Sequence, residues 1–412
     1  MITLGIETSC DETALSIIET RDIDGHFECR VISSLVHSQA ELHSAYGGVF
    51  PTLAKREHSK NLFPLLQKLM VKSGPALESV ARSDLATSKK SEPVTDDRQG
   101  KIKEIDSFIN ELQSKNSDLI ESFNHFRNTD LFNKIPPIDR IAVTEGPGLE
   151  PTLWVGIIFA RILGMVWGIP IVPVNHMEGH IVGSLLESDT PMGSWQRLKP
   201  MKSPAIALLI SGGHTELVKI DAIGKYEIIG QTKDDAVGEA FDKSARLLGL
   251  PYPGGPHVSM LAYQARQENI KSEIKLPRPM LKSGNLDFSF SGLKTAVLYA
   301  VRANTQTDGT LTDTFKKGLA REFEDAVTET LDAKLCSAIE ATGAQTIIVG
   351  GGVSANRNLR EHLIKTAKEY DLPLYLPSQH VSGDNALMIA LAGALDSKKY
   401  SAPLKADGTK RL

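Results

Sequence analysis

The chain opens on an apolar run, Ile2 to Ile6, crosses a polar stretch, and resumes an apolar run from Ala14 to Ile18. The same rhythm returns far downstream: residues 4–18 read LGIETSCDETALSII and residues 206–220 read IALLISGGHTELVKI. Aligned on Ser9 and Ser211, both give an apolar run, a serine, three turn-type residues, a threonine and a second run with Leu two positions on. Strand, tight turn, strand is the pattern of a β-hairpin. A hairpin repeated near the start of each half predicts a duplicated domain.

Behind each hairpin, helical and strand patterns alternate. In the first half, residues 54–74 read as a helix and 139–148 as a strand entering a glycine loop; a helix over 152–167 and a strand at 170–174 follow. In the second half, 320–343 has the spacing of a long amphipathic helix, 345–352 of a strand, 356–370 of a helix and 372–377 of a short strand. This alternation predicts an α/β protein of two duplicated domains, each a twisted sheet covered by helices, around a central cleft where ligands sit. The expected lobes are 1–202 and 203–383, with a C-terminal helix at about 384–396 packing back on the first.

Residues 76–134 break the rhythm, being polar and charged with a single glycine. Their apolar positions at 102, 105, 109, 112, 119, 123 and 126 predict one or two amphipathic helices carried on the surface as an insert, a decoration or a docking element for a partner. The flanking segment 83–100 reads as a flexible linker. Residues 152–174 are long and apolar enough to suggest a membrane span, but Arg161 sits near their middle and Pro170 and Pro173 break their end. A lone arginine is costly in lipid, so a buried helix followed by a core strand is the better reading.

Composition changes this picture little. The 412 residues are 41% hydrophobic and 23% charged, which suits two soluble domains, each with its own core. A formal net charge of −4 excludes a chain that attracts nucleic acid by charge alone; RNA would need a local basic patch or a partner's surface. Cys10, Cys29 and Cys336 show no metal or redox spacing and suit a reducing compartment. With no secretion signal at its opening, the chain is expected to be cytoplasmic and not membrane-bound.

Candidate chemistry centres on residues 175–187, NHMEGHIVGSLLE. On a helix His176 and His180 share one face a turn apart, which suits two ligands of one metal ion. A zinc peptidase needs its glutamate beside the first histidine; Glu178, two residues on, is turned roughly 200° from the histidine face. The peptidase reading therefore loses its base. Asp384, with Ser382 and Gly383 at the opening of an apolar helix, is the candidate third ligand, with a plain helix cap as its alternative role and His380 as a weaker ligand. Two histidines and a carboxylate leave open positions for substrate oxygens, and the set does not choose among iron, zinc, manganese and magnesium.

Glycine loops surround this core. SGGHT at 211–215 offers backbone N–H groups to phosphate or acyl oxygens, while the equivalent first turn carries the acids Asp11 and Glu12. VGGGVSANRNLR at 349–360 lies between a strand and a helix, a route for binding nucleotide, and LGLPYPGGPHVSMLA at 248–262 carries a turn suited to wall the same cleft.

Read together, GIETSCDET, YGGVFPTLAKREH, TEGPGL, NHMEGH, LISGGHTEL, DDAVGEAFDKSARLLGLPYPGGP, PRPM, LDFSFSGLKTAV, FEDAV, GGGVSANRNLR and DNALMIA resemble the bacterial TsaD branch of the tRNA threonylcarbamoyl transferases, from residue 1 to about 396 outside the insert. The resemblance implies an actin/sugar-kinase/Hsp70-like fold. It implies transfer of threonylcarbamoyl from threonylcarbamoyl-AMP to N6 of adenosine 37 in tRNAs that read codons beginning with A. By motif match, His176, His180 and Asp384 would hold one divalent ion per subunit, Fe2+ foremost, with Zn2+ or Mg2+ as alternatives. Leu209, Ile210, Ser211, Gly212 and Gly213 would contact the acyl and phosphate part of the donor, and Asp242, Gly255 and Asn356 its adenosine. A TsaB-like paralogue and a TsaE-like ATPase would be partners. Because the donor is an activated mixed anhydride, no protein nucleophile is required, and Asp11 is the candidate for orienting the attacking amine or taking its proton.

Three departures stand out: Glu150-Pro151 where many members carry small residues, the insert, and an ending at KADGTKRL without the Arg/Trp-containing tail of many bacterial members. The competing readings are a kinase-like nucleotide- and metal-binding enzyme and a non-catalytic scaffold of the same fold. A scaffold would be expected to lack the histidine pair or the GGGVSANRN loop, and this chain has both.

Overall fold

The computed structural model describes residues 1–85, 98–112, 116–187, 190–378, 381–396 and 404–412. β1 (Ile2–Glu7), β2 (Glu12–Ile23) and β3 (His26–Ser38) form an antiparallel meander. A short α1 (Ala40–Ser44) leads to α2 (Pro51–Leu85), α3 (Arg98–Leu112), α4 (Ser117–Arg127) and α5 (Asp130–Asn133). The chain then re-enters the sheet as β4 (Arg140–Gly146), crosses it in α6 (Glu150–Trp167), and returns as β5 (Ile171–Asn175), α7 (His176–Gly183) and the edge strand β6 (Trp195–Arg197). The strand order is β5-β4-β1-β2-β3-β6, with β4 and β5 parallel to β1.

The second sheet repeats this plan. β7 (Ala205–Ile210), β8 (Thr215–Ala222) and β9 (Lys225–Gln231) form its meander, followed by α8 (Val237–Leu247), α9 (Gly254–Gln267), α10 (Ser291–Asn304) and α11 (Asp313–Thr342). β10 (Thr346–Gly350), α12 (Arg357–Glu369) and β11 (Leu374–Tyr375) complete the order β11-β10-β7-β8-β9. The two hairpins agree in register: Glu7 faces Ala14 and Leu209 faces Glu216, each 202 positions on (209 − 7, 216 − 14). The duplication read from the sequence is thus present in five strands of each sheet, and among the described residues the edge strand β6 has no counterpart beside β9.

The last helix, α13 (Ala386–Leu395), lies across the first sheet. Its approach needs bare backbone: a Cβ on Gly5 would sit 2.2 Å from the Ala386 carbonyl oxygen, and one on Gly393 would sit 2.4 Å from the Ala142 methyl. α6 fills the core as expected, with Leu153, Ile157, Phe159, Ile162 and Leu163 fully buried. Each such side chain contributes roughly 2 kcal/mol of burial free energy. Arg161, the charge that argued against a membrane span, points outward and lies 4.2 Å over the Phe108 ring.

The insert is not a surface decoration. α2 runs on past residue 76, and the apolar faces of α3 and α4 enter the first core through Ile105, Phe108, Ile109, Leu119 and Phe123. Phe63, Phe123, Phe126 and Phe159 form one aromatic cluster, with Phe63 and Phe159 edge to face at 4.8 Å. The expected linker falls partly on helical residues, and its middle, 86–97, lies outside the described residues.

Residues 404–412 strap this frame. Leu404 and Ala406 join the first core, the Asp407 N–H donates to the Glu145 carbonyl, and the Gly148 N–H donates to the Gly408 carbonyl. Lys410 pairs with the Glu145 carboxylate, Arg411 accepts from Asn175 Nδ2 at 3.1 Å, and Leu412 packs on the apolar face of the second sheet.

Candidate metal centre

His176 opens α7 directly after β5. Asn175 sets this start, its Oδ1 accepting the Met177 N–H at 2.8 Å and the Glu178 N–H at 3.4 Å. The two imidazoles, one turn apart and both buried, stand with ring centroids 4.7 Å apart. Glu178 faces away and accepts from Tyr226 Oη at 2.7 Å. On the other side of α7, glycines admit α13: a Cβ on Gly183 would lie 3.1 Å from Met388 Cβ, and one on Gly179 would lie 3.0 Å from Ile389 Cδ1.

This close packing delivers Asp384. Asn385, not Asp384, caps α13 by accepting the Met388 N–H at 3.0 Å, so the Asp384 carboxylate has no capping duty. Its Oδ1 lies 3.4 Å from His176 Nε2 and 3.2 Å from His180 Nε2. Donors bound to one ion at about 2.1 Å stand about 3.0–3.4 Å apart at right-angled to tetrahedral geometry. His180 Nε2 is buried and makes no well-formed hydrogen bond, although the Asp384 oxygen lies 3.2 Å away. A buried imidazole nitrogen left without a hydrogen bond beside a carboxylate is a ready ligand for a cation. The three residues fit a divalent ion. His380 lies outside the described residues.

Glu7 completes the arrangement. Fully buried at the end of β1, it accepts from His176 Nδ1 at 3.0 Å and from Thr144 Oγ1 at 2.6 Å, and Ser9 Oγ lies 3.2 Å from the same His176 nitrogen. A carboxylate on Nδ1 fixes the tautomer that leaves Nε2 free to ligate. Burial opposes ionisation of both acids, yet His176 holds the Glu7 carboxyl below its ordinary value, and the two imidazoles hold Asp384 far below its own. Burial alone would lower His176; Asp384 and Glu7 raise it well above the usual histidine range, while burial keeps His180 low. His214, beyond the SGG turn, is pushed down to about 4 by burial and by repulsion from His176 and His180. The sequence reading missed Glu7 and His214. A lone acid at the end of an apolar strand was the signal for Glu7, since a buried carboxylate needs a partner.

The family profile of TsaD, tRNA N6-adenosine threonylcarbamoyltransferase, matches residues 30–82 and 131–391. A protein of that name from Methylobacillus flagellatus is 39% identical over 395 residues, covering 96% of this chain and 92% of its own. Another from Ralstonia pickettii is 40% identical over 395 residues, covering 96% and 91%. The chain belongs to the TsaD family. A solved activator of 2-hydroxyisocaproyl-CoA dehydratase from Clostridium difficile aligns over 96% of this chain and 93% of its own at 13% identity and a TM-score of 0.43.

Within this TsaD-family chain the other expected site residues divide. Leu209 and Ile210 are fully buried in β7, so their side chains are not available to a ligand. Ser211 closes the turn: its N–H donates to the His214 carbonyl at 2.9 Å, and its Oγ accepts the His214 N–H at 3.1 Å. Gly212 and Gly213 are exposed, and a Cβ on either would meet nothing within 4 Å. Beneath them, a Cβ on Gly238 would lie 2.6 Å from the Ser211 carbonyl and one on Gly351 would lie 2.4 Å from the Ile210 carbonyl, so the two glycine loops touch backbone to backbone. Asp242 accepts the Gly254 N–H at 2.7 Å and so holds the turn that carries Gly255. Asn356 caps α12 and donates to Ser259 at 2.7 Å and Glu324 at 2.6 Å, which commits its side chain to the fold. Asp11 is buried in the first turn; together with burial it raises the Glu12 carboxyl well above the usual range, and its charge reaches Tyr252 across the cleft.

Proposed function

We propose that this chain transfers the threonylcarbamoyl group of threonylcarbamoyl-AMP to N6 of adenosine 37 in tRNAs reading codons that begin with A. The observation that carries the reading is the His176–His180–Asp384 cluster, held by buried Glu7, in a TsaD-family chain. The amine nitrogen attacks the carbamoyl carbon, the bond to the phosphate oxygen breaks, and AMP departs with the electron pair. Asp11 orients the amine or takes its proton. The Gly212 and Gly213 amides, free of side chains, stabilise negative charge on the carbonyl and phosphate oxygens. Asp242 and Gly255 hold the donor's adenosine, and Asn356 shapes the loop beside it. His176, His180 and Asp384 hold one divalent ion, Fe2+ foremost, with Zn2+ and Mg2+ as alternatives. When bound, it supplies Lewis acidity to donor oxygens.

The two lobes of this reading are 1–202 and 203–383, with residues 384–396 returning to the first. A TsaB-like paralogue and a TsaE-like ATPase are its partners, and the cytoplasm, which holds its tRNA acceptors, is its location. Transfer of labelled threonylcarbamoyl from synthetic adenylate to unmodified tRNA, with those partners present, is the test. Label reaching adenosine 37 with wild type and lost with His176→Ala is the expected outcome. No transfer by metal-loaded wild type overturns the reading in favour of a kinase-like enzyme or a scaffold.

A further inference from the structure

At the rim of the cleft, the loop between α1 and α2 presents two bare aromatic rings. Tyr46 and Phe50 are 61% and 51% exposed, and their rings stack with centroids 5.6 Å apart and planes 21° apart. Among the described residues they are the one ring pair with both members exposed. The loop is held in shape from below: buried His43 accepts the Tyr46 N–H on its carbonyl at 2.9 Å and the Phe50 N–H on Nδ1 at 3.3 Å. Tyr46 and Gly47 also line a cavity of about 350 Å³, whose opposite wall is Asp242, Arg246, Pro251 and Tyr252 of the second lobe. Arg246 is exposed and reaches within 3.5 Å of where a Gly47 Cβ would stand, and its guanidinium has no ion-pair or hydrogen-bond partner among the described residues.

Reaction at N6 of a nucleotide requires that its base leave the stack of its neighbours, at a cost set by lost stacking. Proteins offset that cost by stacking single-stranded bases on aromatic rings and pairing backbone phosphate with arginine. We propose that Tyr46 and Phe50 form a platform for a base of the acceptor tRNA's anticodon loop next to the reacting adenosine, with Arg246 on its phosphate. This rests on the transferase reading and adds the acceptor subsite to it. With a net charge of −4, overall charge does not draw RNA to the chain, so local contacts of this kind carry more of the recognition.

Steady-state transfer, with partners present, separates acceptor from donor. Tyr46→Ala and Phe50→Ala raise the KM for tRNA about tenfold, the effect of one lost base stack, and leave kcat and the KM for threonylcarbamoyl-adenylate within about twofold. Tyr46→Trp restores the tRNA KM, and Arg246→Gln raises it while flattening its salt dependence. An anticodon stem-loop with 2-aminopurine beside position 37 gives a direct readout, with quenching by wild type that is lost in Tyr46→Ala. A rise in the donor KM alone would assign the rings to the donor and overturn the proposal. So would an unchanged tRNA KM, with or without lost binding of a partner protein. Wild type that transfers no label fails the transferase reading itself, a different result from either.

Discussion

At the scale of single residues, Glu7 and His58 act from behind the reacting groups. Glu7 touches no ligand position, yet it fixes the His176 tautomer from a fully buried site. Glu7→Gln is expected to lower metal affinity about 10–100-fold, read by competition against a chelator, with the fold intact by circular dichroism. His58 lies between Thr13, 2.7 Å from its Nδ1, and the Cys10 carbonyl, 2.9 Å from its Nε2, so it braces the turn that carries Asp11. Burial pushes its pKa down to about 4. As pH falls below the ordinary value near 6.5, the unfolded chain takes up a proton that the native state refuses, so stability declines until about pH 4. The loss from this one group is about 3 kcal/mol at most. His58→Gln should therefore show a smaller drop in melting temperature between pH 7 and 4.5 than wild type, and equal slopes would refute the assignment. The histidine pair and Asp384 were legible because their spacing and helix-opening position carry chemistry. Glu7 was not, because an acid closing an apolar strand reads as the strand's end until the fold puts a histidine against it.

Elements show the same division. The repeated hairpin was legible since strand pairing obeys a period of two, and a serine-aligned repeat fixes both turns at once. The helices at 98–127 were legible as amphipathic, but periodicity does not say what covers an apolar face. Here Phe63 and Phe159 of the main lobe cover it. Phe123→Ala should cost about 3–5 kcal/mol in urea unfolding of the whole protein; a loss below about 1 kcal/mol would mean that these helices are peripheral after all. The strap at 404–412 gave no periodic signal, being a run of single contacts. A Cβ on Gly146 would lie 1.9 Å from the Asp407 carbonyl oxygen, so Gly146→Ala should displace the strap. Faster hydrogen exchange is then expected at the Asp407 amide, which donates to Glu145, and at the Gly148 amide.

Across the whole molecule, α7 and α13 belong to the frame of the first sheet, and every strand of the second sheet lies between them in the chain. His180 and Asp384 are 204 positions apart (384 − 180) and come together at one point. An ion bound there therefore closes a loop of chain that encloses the entire second sheet. By the chain-entropy argument used for covalent cross-links, a loop of that size is worth up to about 5 kcal/mol against the unfolded state. Chelation is expected to lower the melting temperature and to loosen the second sheet as well as the site. The centre that handles the donor is also the clasp of a closed ring of polypeptide.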